Sequence, residues 1–387
     1  MKNIKLLNKI AKAGISRFDP AEYAVSAEAE APDGILVRSA AMHDTVFNPE
    51  LKAIARCGAG VNNIPLDRCA EAGIVVFNTP GANANGVKEL AIASLLLASR
   101  NIIGGVEWAN TLNGAPEGVA KAVEAGKSKF GGVELKGKTL GVIGLGAIGG
   151  LVANTAKNLG MTVVGCDPYL TVDAAWGLSS SVKHAATYDE IYADSDYITL
   201  HVPATAETKG MICAENIAKM KDGVRIVNLS RADLVVAADL KAALASGKVA
   251  AYVTDFPTEE TVNVPGIVTI PHLGASTEES EENCAAMAAD ELKDYLENGT
   301  IRNSVNYPAV DMPRTDAGRL VILHKNIPNM ISHISSTLAE RSINIENLAD
   351  RSRGEYAVGL VDTYAEITPE IVAGIESMEG IIRVIVL

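Results

Sequence analysis

The chain has 387 residues, which at roughly 150 residues per domain points to two or three domains. Hydrophobic residues make up 48% and charged residues 21%, which excludes a disordered chain. Lys plus Arg number 34 against 47 Asp plus Glu, a net charge of −13, which argues against a nucleic-acid partner because phosphate backbones are held by excess cationic side chains.

Near the start, Gly34–Ser39, Lys52–Arg56 and Gly73–Asn78 read as strands, with a helix over Pro65–Ala72 between the last two. Strands alternating with helices predict a parallel sheet of the α/β class. Gly86–Asn101 reads as a helix that is apolar nearly all round, expected between layers or subunits. The pattern weakens over Gly104–Gly132. A new unit opens with strand Thr139–Ile143, a glycine turn and a helix to Leu159, followed by strands at Met161–Cys166, Tyr197–His201, Val224–Leu229, Val249–Thr254 and Gly266–Ile270. A helix follows over about Glu278–Glu297. Residues 304–316, with Pro308 and Pro313, read as a linker. Beyond it, strand, helix, strand, strand, helix, strand predicts a ferredoxin-like βαββαβ sandwich over 317–387.

Cys57, Cys69, Cys166, Cys213 and Cys284 include no C-x-x-C spacing. No disulfide framework and no metal site are expected, and a reducing cytoplasm is. Lysines break the N-terminal apolar pattern, so no signal peptide is expected. No apolar run reaches the ~18 to 20 residues of a membrane span.

Gly144-Leu145-Gly146-Ala147-Ile148-Gly149 spells G-x-G-x-x-G after a strand and at the start of a helix, and Asp167 ends the next strand. That context reads as a dinucleotide turn. Gly144 would permit the tight turn, Gly146 the approach of a pyrophosphate and Gly149 close helix–strand packing. The helix N-terminus favours phosphate. A carboxylate at Asp167 repels a ribose 2′-phosphate, so NAD is expected rather than NADP. Downstream, Arg231, the pair Glu259-Glu260 and His272 each follow a strand end, where open parallel sheets bind ligands.

These pieces together resemble the NAD-dependent D-isomer-specific 2-hydroxyacid dehydrogenases: Val142–Gly149, Asn228-Leu229-Ser230-Arg231, Asp255–Glu260 and Pro271–Thr277. The last of them, with Arg38-Ser39 and the C-terminal block, is similar to the members that oxidise 3-phosphoglycerate to 3-phosphohydroxypyruvate in the first step of phosphorylated serine synthesis. The resemblance implies His272 as general base, Glu260 as its orienting partner with Glu259 the fallback, and Arg231 as a bidentate clamp on the substrate carboxylate. His201, Pro203 and Asp255 join the cofactor residues. Arg38, Ser39, Arg56, Gly58, Ala59, Gly60 and Asn83 would line the substrate side, with Gly58–Val61 offering backbone N–H groups. Ala232-Asp233 departs from the two glycines common after the arginine.

Two lobes around a closing cleft are implied. The substrate lobe covers 1–86 and 275–303, and the NAD lobe 87–274. The C-terminal block resembles an ACT regulatory and dimerisation domain, with His324, Asn326 and Asn344 matching an L-serine effector site, and with Asn329 where glycine is usual. A homodimer or homotetramer is expected. The alternatives are a dehydrogenase for 2-hydroxyglutarate, glycerate or lactate, and a non-catalytic NAD-sensing interaction protein.

Overall fold

The computed structural model describes residues 1–387. The chain divides into two compact units, Met1–Asn83 with Glu278–Leu387, and Ala84–Thr277. The first unit begins with β1 (Lys2–Leu7), β2 (Tyr23–Ser26), β3 (Gly34–Val37), β4 (Ala53–Arg56) and β5 (Val75–Phe77), a parallel sheet in the order β2-β1-β3-β4-β5. Strands β3 and β5 are buried at every residue, as expected where both faces of a parallel sheet are covered. The helix Glu278–Asn298 returns to this sheet and buries Ala285, Ala288, Ala289, Leu292 and Leu296 in its core. Strands β1 and β2 are absent from the sequence reading. Lys2 and Lys5 interrupt the apolar pattern of β1, in which Ile4 alone is buried.

The second unit carries β6 (Thr139–Ile143), β7 (Thr162–Cys166), β8 (Lys183–His184), β9 (Tyr197–Leu200), β10 (Val224–Asn228), β11 (Val249–Thr254) and β12 (Ile267–Thr269). They form one parallel sheet in the order β12-β11-β10-β9-β6-β7-β8. Counted from β6, that is the doubly wound 3-2-1-4-5-6 arrangement with a seventh strand added, and its direction reverses between β6 and β9. Helices Ala84–Ser99 and Ala147–Asn158 cover one face, burying Ala91, Leu95, Val152 and Ala156. Ile191, Ile217 and Leu240, from three further helices, cover the other. The weakly patterned stretch contains two helices, Ile102–Asn110 and Val119–Gly126.

The third sheet belongs to the first unit. It comprises β13 (Gly318–Lys325), β14 (Asn347–Arg353), β15 (Tyr356–Thr363) and β16 (Ile381–Val386), antiparallel in the order β14-β15-β13-β16. With helices Met330–Ala339 and Pro369–Glu376 this is the expected βαββαβ sandwich.

Residues 304–316 are not a free linker. Tyr307 is fully buried and donates its hydroxyl to the Ala70 carbonyl at 2.6 Å. Asn306 brackets β5, donating to the Ile74 carbonyl and accepting from the Val76 N–H. The prolines and polar side chains that suggest a spacer hide these long-range bonds.

The joint is sealed by Arg319 and Asp362, both fully buried and bonded twice, at 2.6 and 2.9 Å. The remaining guanidinium N–H groups go to the carbonyls of Asn298, Met312 and Pro313, each at 2.9 Å. Every donor of a buried cation is thereby satisfied.

Candidate active site

The glycine turn lies after β6, at the point where the strand order reverses. Gly144 has φ +88°, and a Cβ there would stand 2.4 Å from the His201 carbonyl oxygen. A Cβ on Gly149 would stand 1.9 Å from the Gly144 carbonyl oxygen. Gly146 differs: it is exposed, precedes the helix Ala147–Asn158, and has nothing within 4 Å of its Cβ position. Two glycines are therefore demanded by the protein's own packing, and the third leaves room for something that is not protein. Ala147 and Ile148 form the first turn of that helix, where N–H groups lack intrahelical acceptors and attract phosphate.

Asp167, after β7, accepts the Leu145 N–H at 2.8 Å and the Tyr169 N–H at 2.9 Å, one on each oxygen. Each oxygen keeps a lone pair for a ribose hydroxyl. His201, after β9, bonds Thr199 Oγ1 through Nε2 at 3.0 Å, while its buried Nδ1 has no partner. Burial pulls its pKa down to about 4, so the ring is neutral at pH 7. Pro203 is exposed two residues further on.

Asp255, after β11, is 1% exposed. Its Oδ2 accepts the Gly274 N–H at 3.2 Å, and its Oδ1 is buried without a partner. An orphaned acceptor calls for a donor, and a carboxamide NH₂ such as that of nicotinamide is one. The open glycine, Asp167 and Asp255 together fit a dinucleotide.

Arg231 and His272 meet at Phe256. The guanidinium lies 5.7 Å from the centre of that ring and the imidazole 4.7 Å. Arg231 is held by Asn228, whose side-chain oxygen accepts the N–H groups of Ser230 and Arg231 and whose amide donates to the Arg231 carbonyl at 2.8 Å. Ala232–Leu234 then form a short 3₁₀ turn with no positive φ. The two glycines usual here are not required by this backbone.

His272 has φ +24°, a strained conformation for a non-glycine residue, costing about 1–3 kcal/mol. Its N–H is fixed by the carbonyls of Asp255 and Ile270. Burial pushes the Asp255 carboxyl up, opposed by the Gly274 N–H and by the charges of His272 and Arg231.

Glu260, expected beside His272, makes no hydrogen bond or ion pair with it. Thr258 and Thr261 close the loop on themselves through their N–H and hydroxyl groups, leaving Glu259 and Glu260 exposed. Phe256 packs on the imidazole instead, and the carboxylate sensitive to the charge of His272 is Asp255. Phe256 was visible within the Asp-Phe-Pro motif but carries no polar signal of its own.

In the first unit, the ends of β3 and β4 bring Arg38 and Arg56 together. Arg56 Nε donates to the Arg38 carbonyl at 3.1 Å, and Arg38 pairs with Glu281 at 2.6 Å. Gly58 lies under the Arg56 guanidinium, where a Cβ would collide with Nη1. Its N–H donates to the Arg56 carbonyl at 2.8 Å, so Gly58 is not the anion donor expected of it. The N–H groups of Ala59, Gly60 and Val61 donate to no backbone carbonyl. Ser39 is exposed and its N–H bonds Asn8 Oδ1. Asn83 immediately precedes the helix Ala84–Ser99.

Of the three expected effector residues, His324 is fully committed within the protein, while Asn326 and Asn344 are exposed and each makes one side-chain hydrogen bond. Both ring nitrogens of buried His324 are taken, by the Lys325 carbonyl at 2.8 Å and Asp350 at 2.9 Å. Asn326 donates to the Gly354 carbonyl. Asn344 lies in the loop before β14 rather than on that strand, and bonds Glu346. Asn329 has φ +71°, so it adopts the left-handed conformation that glycine would supply, as asparagine tolerates.

The model of the D-isomer specific 2-hydroxyacid dehydrogenase NAD-binding domain matches residues 93–274. The chain is 32% identical over 366 residues to the D-3-phosphoglycerate dehydrogenase of Escherichia coli K12, covering 90% of this chain and 85% of that protein. It belongs to the D-isomer-specific 2-hydroxyacid dehydrogenase family, and its nucleotide is NAD. The D-3-phosphoglycerate dehydrogenase of Methanocaldococcus jannaschii is 35% identical over 323 residues, 81% of this chain and 58% of that protein. This chain spans about half the length of such longer relatives, 57% for the Bacillus subtilis enzyme and 48% for that of Archaeoglobus fulgidus. The NAD⁺-bound 3-phosphoglycerate dehydrogenase of Entamoeba histolytica superposes with a TM-score of 0.61 at 28% identity, over 79% of this chain and 98% of that one. No helix is long and apolar enough to cross a membrane.

Proposed function

We propose that this protein oxidises 3-phospho-D-glycerate at C2 to 3-phosphohydroxypyruvate. NAD, when bound, supplies the hydride acceptor. His272 takes the proton of the C2 hydroxyl as general base, its imidazole nitrogen being an acceptor when neutral. The negative charge of Asp255 favours the imidazolium that results. Arg231 holds the substrate carboxylate in a two-pronged geometry that lysine cannot reproduce. Arg38 and Arg56, with the free N–H groups of Ala59–Val61, supply positive potential for the anionic ends of the substrate. The observation that carries this reading is the convergence of Arg231 and His272 on Phe256 beside Asp255, in the domain that carries the NAD turn.

The test is a screen of NADH formation with 3-phospho-D-glycerate, D-glycerate, D-lactate and D-2-hydroxyglutarate. The phosphorylated acid should give the highest kcat/KM. Arg38→Ala should raise KM for 3-phosphoglycerate and leave KM for D-glycerate nearly unchanged. An unaltered KM for the phosphorylated acid removes Arg38 from phosphate binding, and a preference for an unphosphorylated acid overturns the substrate assignment.

The C-terminal sandwich supports a regulatory and dimerising role of the ACT kind, because β14 leaves one sheet edge open to a second copy. Sedimentation should then give a homodimer or homotetramer. L-Serine binding rests on the exposed Asn326 and Asn344, since His324 is committed internally. Equilibrium dialysis with L-serine on wild type and Asn344→Ala tests it, and no binding by wild type ends it. Five unpaired cysteines support a reducing, cytoplasmic setting.

A further inference from the structure

Strand β6 lies between β9 and β7 in the second sheet. Its glycine turn is therefore flanked by the loop after β7 on one side and the loop after β9 on the other. A hydrogen bond joins those two loops: the hydroxyl of Tyr169, two residues beyond Asp167, donates to Glu207 Oε2 at 3.2 Å. Strands two places apart in a sheet stand about 9–10 Å from each other. A bond between their loops thus bridges the gap outside the end of β6, where the dinucleotide turn sits.

Both ends of the bridge are fixed by the chain. The Tyr169 N–H donates to Asp167 Oδ1 at 2.9 Å, so the tyrosine starts at the carboxylate assigned to the adenosine ribose and ends at Glu207. Glu207 stands on a closed turn. Its N–H donates to Thr205 Oγ1, and the Thr208 hydroxyl donates to the Pro203 carbonyl at 2.6 Å. Tyr169 is 78% exposed, so core packing does not account for its place. The bond to Glu207, and then the charge of that carboxylate, raise the Tyr169 hydroxyl above the ordinary tyrosine range, which keeps it a donor.

Asp167 is not a full charge on its own. Its two oxygens already accept the N–H groups of Leu145 and Tyr169, which offsets part of its repulsion of another anion. A 2′-phosphate on the ribose would bring about two negative charges to within the length of one tyrosine of Glu207. We propose that Glu207 is a second specificity-determining residue for NAD over NADP, a carboxylate set across the crevice from Asp167 and held there by Tyr169. The neighbouring Tyr188 agrees with that spacing. Burial raises its hydroxyl, and Asp167 and Glu207 are both among the charges that raise it further.

Fluorescence titration of the full chain with NADH and with NADPH tests the assignment, read as the ratio of the two Kd values. Glu207→Gln keeps an acceptor for Tyr169 and removes the charge. An exposed charge acts through a high dielectric, so this variant should favour NADPH by roughly threefold to tenfold in that ratio. Glu207→Lys, which doubles the change in charge, should favour it by roughly tenfold to a hundredfold. Tyr169→Phe frees the carboxylate without removing it and should give part of the Glu207→Gln gain. All three gains should shrink at about 0.5 M NaCl, where surface charges are screened. A structural role, or a contact with the adenine base, would change both Kd values alike and leave the ratio where it was. An unchanged ratio in Glu207→Gln and Glu207→Lys overturns the proposal, as does a gain that salt does not diminish. A ratio that responds to Asp167→Asn but to neither Glu207 variant leaves discrimination to Asp167 alone and overturns it too.

Discussion

Gly146 and Gly149 stand three residues apart in one motif, yet the structure gives them opposite reasons to be glycine. Gly146 has φ −67° and nothing within 4 Å of its Cβ position. Gly146→Ala should therefore fold, changing stability by no more than about 1 kcal/mol at this helix cap. Its methyl group would instead occupy the space the pyrophosphate needs. Losing one charge-assisted hydrogen bond costs about 1.5–3 kcal/mol, which at about 1.4 kcal/mol per factor of ten predicts roughly 10- to 100-fold weaker NADH binding. Gly149→Ala drives a Cβ to within 1.9 Å of the Gly144 carbonyl oxygen, so backbone must move. Overpacking of that kind costs about 1–3 kcal/mol, or roughly 2–4 °C in Tm for each kcal/mol in a unit of this size. Fluorescence titration with NADH and a thermal melt on each variant separate the two effects. A Gly146→Ala protein that binds NADH as tightly as wild type would refute the assignment of this turn to the pyrophosphate. A Gly149→Ala protein with unchanged Tm would refute the packing argument.

His272→Asn should lower turnover roughly 10²–10⁴-fold with an unchanged melt; a near-wild-type rate removes it as the base. Asp362→Asn leaves the buried Arg319 guanidinium without its counter-charge and should destabilise the first unit by about 3–5 kcal/mol in urea; a shift below about 1 kcal/mol would mean that water replaces the carboxylate. Two buried groups should tilt the pH dependence of stability in opposite senses. His201 is lowered from 6.5 to about 4 in the fold, so the unfolded chain binds the extra proton and stability falls as pH drops from about 6.5 towards 4. Glu291 is raised from 4.5 to about 7, so the folded chain binds the extra proton and stability falls as pH rises from about 4.5 through 7. Urea midpoints across that range should lose the first slope in His201→Gln and the second in Glu291→Gln; parallel curves for wild type and both variants would contradict both assignments.

The sequence made legible what local sterics dictate. The dinucleotide turn is specified within six residues by three glycines, and β3 and β5 announce themselves because both their faces are buried. The C-terminal sandwich was legible for the same reason, its helices and strands being long and regularly patterned. Legibility failed where tertiary contact overrides local pattern. Strand β1 was hidden by Lys2 and Lys5, and the strap around Tyr307 reads as polar spacer because its partners, Ala70, Ile74 and Val76, lie far back in the chain. The family resemblance pairs Glu260, or failing it Glu259, with His272. Which carboxylate reaches an imidazole depends on how a loop closes, and the Thr258–Thr261 bonds that close this one leave no periodic trace.

One pattern in β13 ties the C-terminal block to the rest of its unit. Leu320 and Ile322 point to one face and pack with Ile334, Leu338 and Ile375 from the two helices of the sandwich. Val321 and Leu323 point to the other face and share a core with Leu36, Ala55, Val75 and Phe77 of the first sheet. Alternation along a strand makes both assignments at once, which is why this run is apolar at every position. The block is therefore not a bead on a tether: its sheet closes the core of the lobe that carries Arg38, Arg56 and the Ala59–Val61 donors. Arg383 from β16 reaches the Leu51 and Pro49 carbonyls just before β4, a second link in the same direction. A repacking of Val321 or Leu323 would thus be felt through contiguous packing by β3 and β4, at whose ends the two arginines sit.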